Sequence, residues 1–306
     1  MSAPGLDVAA GAAPRPRVVL VDGVPMSGLI AEAEQPRAVI VAFHGGASSA
    51  AYFDCPGHPP LSLLRAGPPL GFTVVSLDRP GYGSSAPYPD AMQTPEQRVA
   101  LAFGTVEKIL GSKPRGAGVF LVGHSAGCEM AVRMAADERA VLSDIIGLEL
   151  AGTGLDYAEA AQDMMKSATT TGRPTGLREL LWEPAHLYPA DVLSGMTNSA
   201  SGALYEVDIT RNWPRRDFPA LAAKIGVPVQ FSVAEHERVW RSDPEILAEV
   251  AALFTAAPRF VLNEQADTAH NMSLTVNAGA YHAKVLSFVG QCAATEDGIS
   301  QNLEAG

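Results

Sequence analysis

The chain has 306 residues, 47% of them hydrophobic, and a formal net charge of −11. This supports one large core, or a core with a smaller subdomain, and the acidic balance argues against nucleic acid or an anionic membrane as a partner. Cys55, Cys128 and Cys292 stand without a CxxC pair, so neither a zinc motif nor a disulfide framework is expected, and no run of about 18 apolar residues predicts a membrane span.

Residues 1–16 are rich in Ala, Gly and Pro and read as a loose tail. The N-terminus lacks a signal-peptide pattern, so a cytoplasmic protein is expected. Arg17 to Val21 and Met26 to Ala33 read as two strands around an Asp22-Gly23 turn. Ala38 to Phe43 is a continuous apolar run, as a strand buried on both faces should be, and it ends in His44-Gly45-Gly46-Ala47. A short helix is predicted over Leu61 to Ala66. A strand follows from Phe72 to Leu77, ending in Asp78-Arg79-Pro80-Gly81-Tyr82-Gly83-Ser84. Thr94-Pro95-Glu96 opens a helix to about Leu110: a cap residue, proline in the first turn and an acid beside it. Gly118 to Val122 and Asp144 to Leu150 read as strands, the first followed by helix formers from Cys128. From Thr153 to Trp213 no strong strand appears, only helix-like pieces such as Tyr157 to Ser167 and Leu177 to Trp182. This reads as a helical insertion over the strand ends. The rhythm resumes with a helix over Phe218 to Ile225, a strand over Val227 to Val233 and a helix over Pro244 to Thr255. A strand over Arg259 to Leu262 and a helix over Ala278 to Cys292 follow, then a polar tail from about Thr295. Strands alternating with helices predict a doubly wound, mostly parallel α/β sheet.

The chemistry centres on Gly123-His124-Ser125-Ala126-Gly127, set between a predicted strand and a predicted helix. A strand turning sharply into a helix exposes the middle residue at the carboxyl edge of the sheet, and Ser125 is therefore the candidate nucleophile. A serine hydroxyl needs a base. His270, in a loop just after the last predicted strand, opens on the same edge; His282 is the rival, but it sits inside a helix. The base needs a carboxylate to hold its tautomer. Glu237, four residues past a predicted strand, is the first candidate, with Glu149 and Glu235 as alternatives. The oxyanion donors expected are the N–H of Ala126 and one from the glycine loop, Gly46 or Ala47.

These pieces, in this order, resemble the α/β-hydrolase fold family over about Arg17 to Cys292. The resemblance rests on His44-Gly45-Gly46, on Asp78 to Ser84, on Gly123 to Gly127, on Ala234-Glu235-His236-Glu237 and on Ala269-His270-Asn271. The family usually has Gly-x-x-Asp where this chain has Ala234-Glu235-His236-Glu237. It implies an eight-stranded sheet with a helical cap after the sixth strand, here residues 153–216, between core segments 17–152 and 217–293. Residues 294–306 are then a C-terminal tail. It also implies a serine hydrolase, carboxylesterase-like, cleaving an ester, thioester or lactone of a mainly apolar small molecule through an acyl-enzyme, without cofactor or metal. The apolar cap residues, Tyr157, Met164, Met165, Trp182, Tyr205 and Trp213 among them, suit an acyl, aryl or cyclic substrate. A C–C bond hydrolase, an acyltransferase, a peptidase and a non-catalytic binding protein share the scaffold. A monomer or homodimer is expected. Gly81-x-Gly83-x-x-Ala86 matches a dinucleotide fingerprint, but Pro87 and Pro89 block the helix that it would need.

Overall fold

The computed structural model describes residues 13–166, 176–196 and 202–304. Eight strands form one sheet: β1 (Arg15–Val21), β2 (Val24–Ala31), β3 (Ala38–Phe43), β4 (Phe72–Leu77), β5 (Val119–His124), β6 (Ile145–Ala151), β7 (Val229–His236) and β8 (Phe260–Ala269). Their order is β1-β2-β4-β3-β5-β6-β7-β8. The pairs β1–β2 and β2–β4 are antiparallel, and every later pair is parallel. The eleven α-helices of the described residues are α1 (Leu63–Ala66), α2 (Pro95–Leu110), α3 (Gly127–Ala135), α4 (Arg139–Leu142), α5 (Glu159–Lys166), α6 (Leu177–Trp182), α7 (Ala190–Met196), α8 (Glu206–Asn212), α9 (Phe218–Ala222), α10 (Pro244–Leu253) and α11 (Ala278–Glu304).

The apolar runs are divided between two faces, as the two-residue period of a strand requires. Along β3, Val39, Val41 and Phe43 pack with residues of α2, α3 and α10, while Ala38, Ile40 and Ala42 pack with residues of α1 and α11. The helices therefore cover both sides of the sheet, and the carboxyl edge is where such a sheet places its ligand site.

Local signals fix α2 sharply. Thr94 Oγ1 accepts from the Gln97 N–H at 3.3 Å, and Gln97 Oε1 accepts from the Thr94 N–H at 2.9 Å, a reciprocal capping box. Thr94→Ala is expected to lower global stability by about 1 kcal/mol, read as a lower urea midpoint with unchanged slope.

Several elements run differently from the sequence reading. Strand β7 continues to His236 and β8 to Ala269, where shorter strands and longer loops were expected. Glu237 is therefore the first residue past its strand, not the fourth, and His270 directly follows β8. The polar residues of β8 alternate between buried Asn263 and Gln265 and exposed neighbours. An edge strand half open to water carries that pattern, and it lacks the continuous apolar run of an inner strand. The stretch from Thr295, expected as a tail, continues α11 to Glu304. Arg15 and Pro16, expected in the tail, belong to β1. The remaining tail call, residues 1–12, and Ser167 lie outside the described residues.

Helices α5 to α8 fall between β6 and β7, and this segment meets the loops at the carboxyl edge. Tyr205 donates to the Pro80 carbonyl at 2.6 Å, and Asn271 Nδ2 donates to the Leu181 carbonyl at 2.9 Å. Trp213 is buried and donates from Nε1 to Thr153 Oγ1 at 2.9 Å, tying the two ends of the segment together.

Candidate active site

Each candidate residue stands just past the carboxyl end of its own strand: Ser125 after β5, His270 after β8, Glu237 after β7 and the glycine loop after β3. Parallel pairing places these ends side by side, so residues far apart in sequence meet at one edge.

Ser125 has φ +51°, the left-handed region that a non-glycine residue rarely adopts. The turn is held by the Ser125 N–H to Ala151 O at 2.8 Å and the Cys128 N–H to Ser125 O at 2.9 Å. The flanking glycines are required by space. A β-carbon at Gly127 would lie 2.1 Å from the Phe43 carbonyl oxygen, and one at Gly123 would lie 2.7 Å from Cys128 Cα. Helix α3 then starts at Gly127 with no side-chain cap, so its positive end lies directly behind Ser125.

His270 Nε2 lies 3.2 Å from Ser125 Oγ, and its Nδ1 lies 3.0 Å from both carboxylate oxygens of Glu237. Glu237 Oε1 also accepts from the N–H of Val239 at 2.8 Å and of Trp240 at 3.4 Å. Both side chains are almost wholly buried. Burial alone would push the Glu237 carboxyl up, but His270 and the two backbone N–H groups outweigh it and hold it below the usual carboxylate range. A charged Glu237 takes the Nδ1 proton as its hydrogen-bond donor. Nε2 is left as an acceptor towards the serine hydroxyl.

Sequence reasoning left three carboxylates open, and the structure brings only Glu237 to His270. Glu235 accepts from the Asp267 N–H at 2.8 Å. Glu149 lies within β6, on the face covered by α11, and accepts from the Tyr281 hydroxyl at 3.1 Å. His282 is buried on α11, with Nε2 3.0 Å from Ser273 Oγ, and burial pushes its pKa down to about 3. His124 stacks on Tyr52 at 4.5 Å and contacts Asn271. The Cys128 thiol lies 3.3 Å from the Ala151 carbonyl, and burial raises its pKa, as expected of a packed thiol.

The glycine loop is set by its neighbours. His44 Nδ1 donates to Gly45 O at 2.7 Å, and its Nε2 accepts from the Arg79 N–H at 3.2 Å. Those two bonds define a neutral imidazole, and burial and the nearby Arg79 hold its pKa well below the usual value. The N–H of Ala47, one of two expected oxyanion donors, is engaged with the Tyr82 hydroxyl at 3.0 Å. That leaves Gly46 as the loop's candidate donor, beside Ala126.

One group at this edge escaped the sequence reading altogether. Glu206, at the start of α8, pairs with Arg79, whose side chain is fully buried. A β-carbon at Gly46 would lie 3.0 Å from Glu206 Oε2, so this carboxylate borders the candidate oxyanion loop. No motif surrounds Glu206, and its only sequence signal is an acid in the first turn of a helix.

The segment Gly83 to Ser85 is a 3₁₀ turn and not a helix start, so nothing there offers a pyrophosphate a helix N-terminus. Among the described residues no three His, Cys, Asp or Glu side chains gather as a metal site needs, and no helix is long and apolar enough to cross a membrane.

Comparison with known proteins agrees with this architecture. The chain resembles a membrane phospholipase A described as a bacterial virulence factor (17% identity, 91% of this chain and 86% of that one, TM-score 0.66). It also resembles an N-acyl homoserine lactonase complexed with N-hexanoyl homoserine lactone (16%, 91% and 98%, TM-score 0.65) and a bromoperoxidase from Bacillus anthracis (16%, 90% and 100%, TM-score 0.63). At these identities the likeness is one of fold. No curated protein matches the chain. The model of the alpha/beta hydrolase family matches residues 39–283, most of the sheet and all of the candidate site, and the chain belongs to that family.

Proposed function

We propose that the protein is a serine hydrolase that cleaves an ester, thioester or lactone bond of a mainly apolar small molecule. The observation that carries this reading is the line from Ser125 Oγ through His270 to Glu237, with the serine on a strained turn at the head of a helix. Ser125 attacks the carbonyl while His270 Nε2 takes its proton, and Glu237 stabilises the imidazolium. The N–H groups of Ala126 and Gly46 receive the developing oxyanion. The imidazolium then protonates the leaving group, and a water activated by the same histidine resolves the acyl-enzyme. Leu177, Leu181 and Trp182 of α6 are partly buried apolar side chains, and the Leu181 carbonyl of the same helix meets Asn271 beside His270, which favours an apolar acyl group. A phospholipase and a lactonase among the fold's relatives are consistent with an oxygen ester or a lactone.

The test is hydrolysis of p-nitrophenyl esters of graded acyl length, with labelling by a fluorophosphonate. The expected result is a chain-length optimum in the wild type and covalent labelling at Ser125. Both should be absent in Ser125→Ala. A wild type that neither turns over any ester nor takes the label would sink the proposal in favour of a binding protein of the same fold.

A further inference from the structure

Arg79 is fully buried, and a buried guanidinium is costly unless it is paired and hydrogen-bonded. Burial works against its charge, but Glu206 more than offsets this, so the cation is retained. The same Nη2 that meets Glu206 also donates to Gly45 O at 3.1 Å. The Arg79 backbone N–H holds His44. One residue thus reaches the glycine loop through its side chain and its main chain, and reaches α8 through Glu206.

Tyr82 makes the second link. Its hydroxyl accepts from the N–H of Ala47 in the glycine loop at 3.0 Å and from the N–H of Ala203, just before α8, at 3.3 Å. Glu206 Oε2 and the Tyr82 hydroxyl both border Gly202, and burial and that carboxylate raise the Tyr82 pKa. The Tyr82 ring carries the Arg79 guanidinium over its face at 4.8 Å and packs edge-on with His44 at 4.8 Å. The loop after β4 therefore claims the Gly45 carbonyl and the Ala47 N–H, the groups on either side of Gly46. Both claims pass through contacts with α8 or the residues leading into it.

We infer that Arg79, Tyr82 and Glu206 are positioning residues that hold the Gly46 N–H in place as an oxyanion donor, and that they do so only while α8 is docked. The inference rests on the serine-hydrolase reading above. An oxyanion donor acts through geometry, and a displacement of about 1 Å costs up to roughly a hundredfold in rate. Undocking Glu206 would leave Arg79 buried without its counter-charge and would release Gly45 and Ala47 together.

The experiment uses the full chain. Tyr82→Phe, Glu206→Gln, their double variant and the apolar pair Arg79→Met with Glu206→Met are compared with wild type and Ser125→Ala. The readouts are fluorophosphonate inactivation rate, kcat and KM on one p-nitrophenyl ester, and melting temperature. The apolar pair guards against misfolding, because replacing both partners of a buried ion pair leaves no stranded charge. The expected result is a ten- to hundredfold loss of kcat and of inactivation rate, with KM within about twofold and folding retained. The Tyr82→Phe, Glu206→Gln double variant should be little worse than the more damaged single variant, since both act on one loop. A rise in KM alone, or kcat within twofold of wild type in Tyr82→Phe and Glu206→Gln, would overturn the inference and leave these residues as cap contacts. Ser125→Ala that still turns over ester and takes the label would instead overturn the nucleophile assignment beneath it.

Discussion

Glu237→Gln is expected to lower kcat about 10³- to 10⁴-fold with KM little changed, while Glu235→Gln keeps full activity. The amide is nearly isosteric, so His270 stays where it is. It can, however, turn its NH₂ towards Nδ1, which fixes the wrong tautomer and puts the ring proton on Nε2, where it blocks acceptance from Ser125. It also removes the charge that balances the imidazolium in the transition state. The backbone N–H groups of Val239 and Trp240 hold Glu237 Oε1 in place, so the amide oxygen will prefer that position and the NH₂ will take the Oε2 position, also 3.0 Å from Nδ1. The pH dependence has a definite sign. Glu237 is held below the usual carboxylate range, so its contribution is complete above the unfolded-chain value and fades only as pH falls through the lower folded value. Steady-state kinetics near neutral pH check the first point, and melting temperature followed from about pH 3 to pH 7 checks the second. A Glu237→Gln variant within tenfold of wild type would remove Glu237 from the mechanism.

How much of this could be read from the sequence differs from residue to residue, for physical reasons. Ser125 is legible because the strained turn imposes glycine on both sides, and sterics write themselves into local sequence. Cap chemistry made the start of α2 legible to the residue. His270 follows from topology alone, since the carboxyl ends of parallel strands share one edge. The acid was open because three glutamates stood near strand ends, and strand β7 runs three residues further than its apolar run. Once the strand ends at His236, Glu235 and Glu237 are no longer equivalent, because one belongs to the ladder and the other to the edge. Glu206 was illegible. What gives it meaning is a partner 127 positions away, and no local pattern encodes an ion pair of that separation. Ala47 was a reasonable oxyanion donor until Tyr82, in a different loop, claimed its N–H.

Glu149 makes the second large prediction, in stability. It lies between Val122 of β5 and Gln230 of β7 in the ladder, with no exposed surface. Tyr281 of α11 donates to it at 3.1 Å, and Ser232 and Gln230 flank it. Burial dominates these hydrogen bonds and pushes its pKa from 4.5 up to about 8. The folded chain therefore binds more protons than the unfolded one between those values, so stability falls as pH rises through that window and levels off above it. The expected loss is on the order of 5 kcal/mol, roughly ten degrees in melting temperature for a chain of this size. Glu149→Gln keeps an acceptor for Tyr281 and cannot ionise, while the buried neutral histidines titrate alike in both proteins, so the wild-type melting temperature should fall relative to that of the variant as pH rises from about 5 to about 8. Parallel curves would assign the titration elsewhere. The variant separates two roles as well, because a triad acid lost to an amide would destroy activity at every pH. Glu149→Gln is expected instead to match wild type near pH 6 and to survive better near pH 9, since the strand it protects, β6, is paired with the one that carries Ser125.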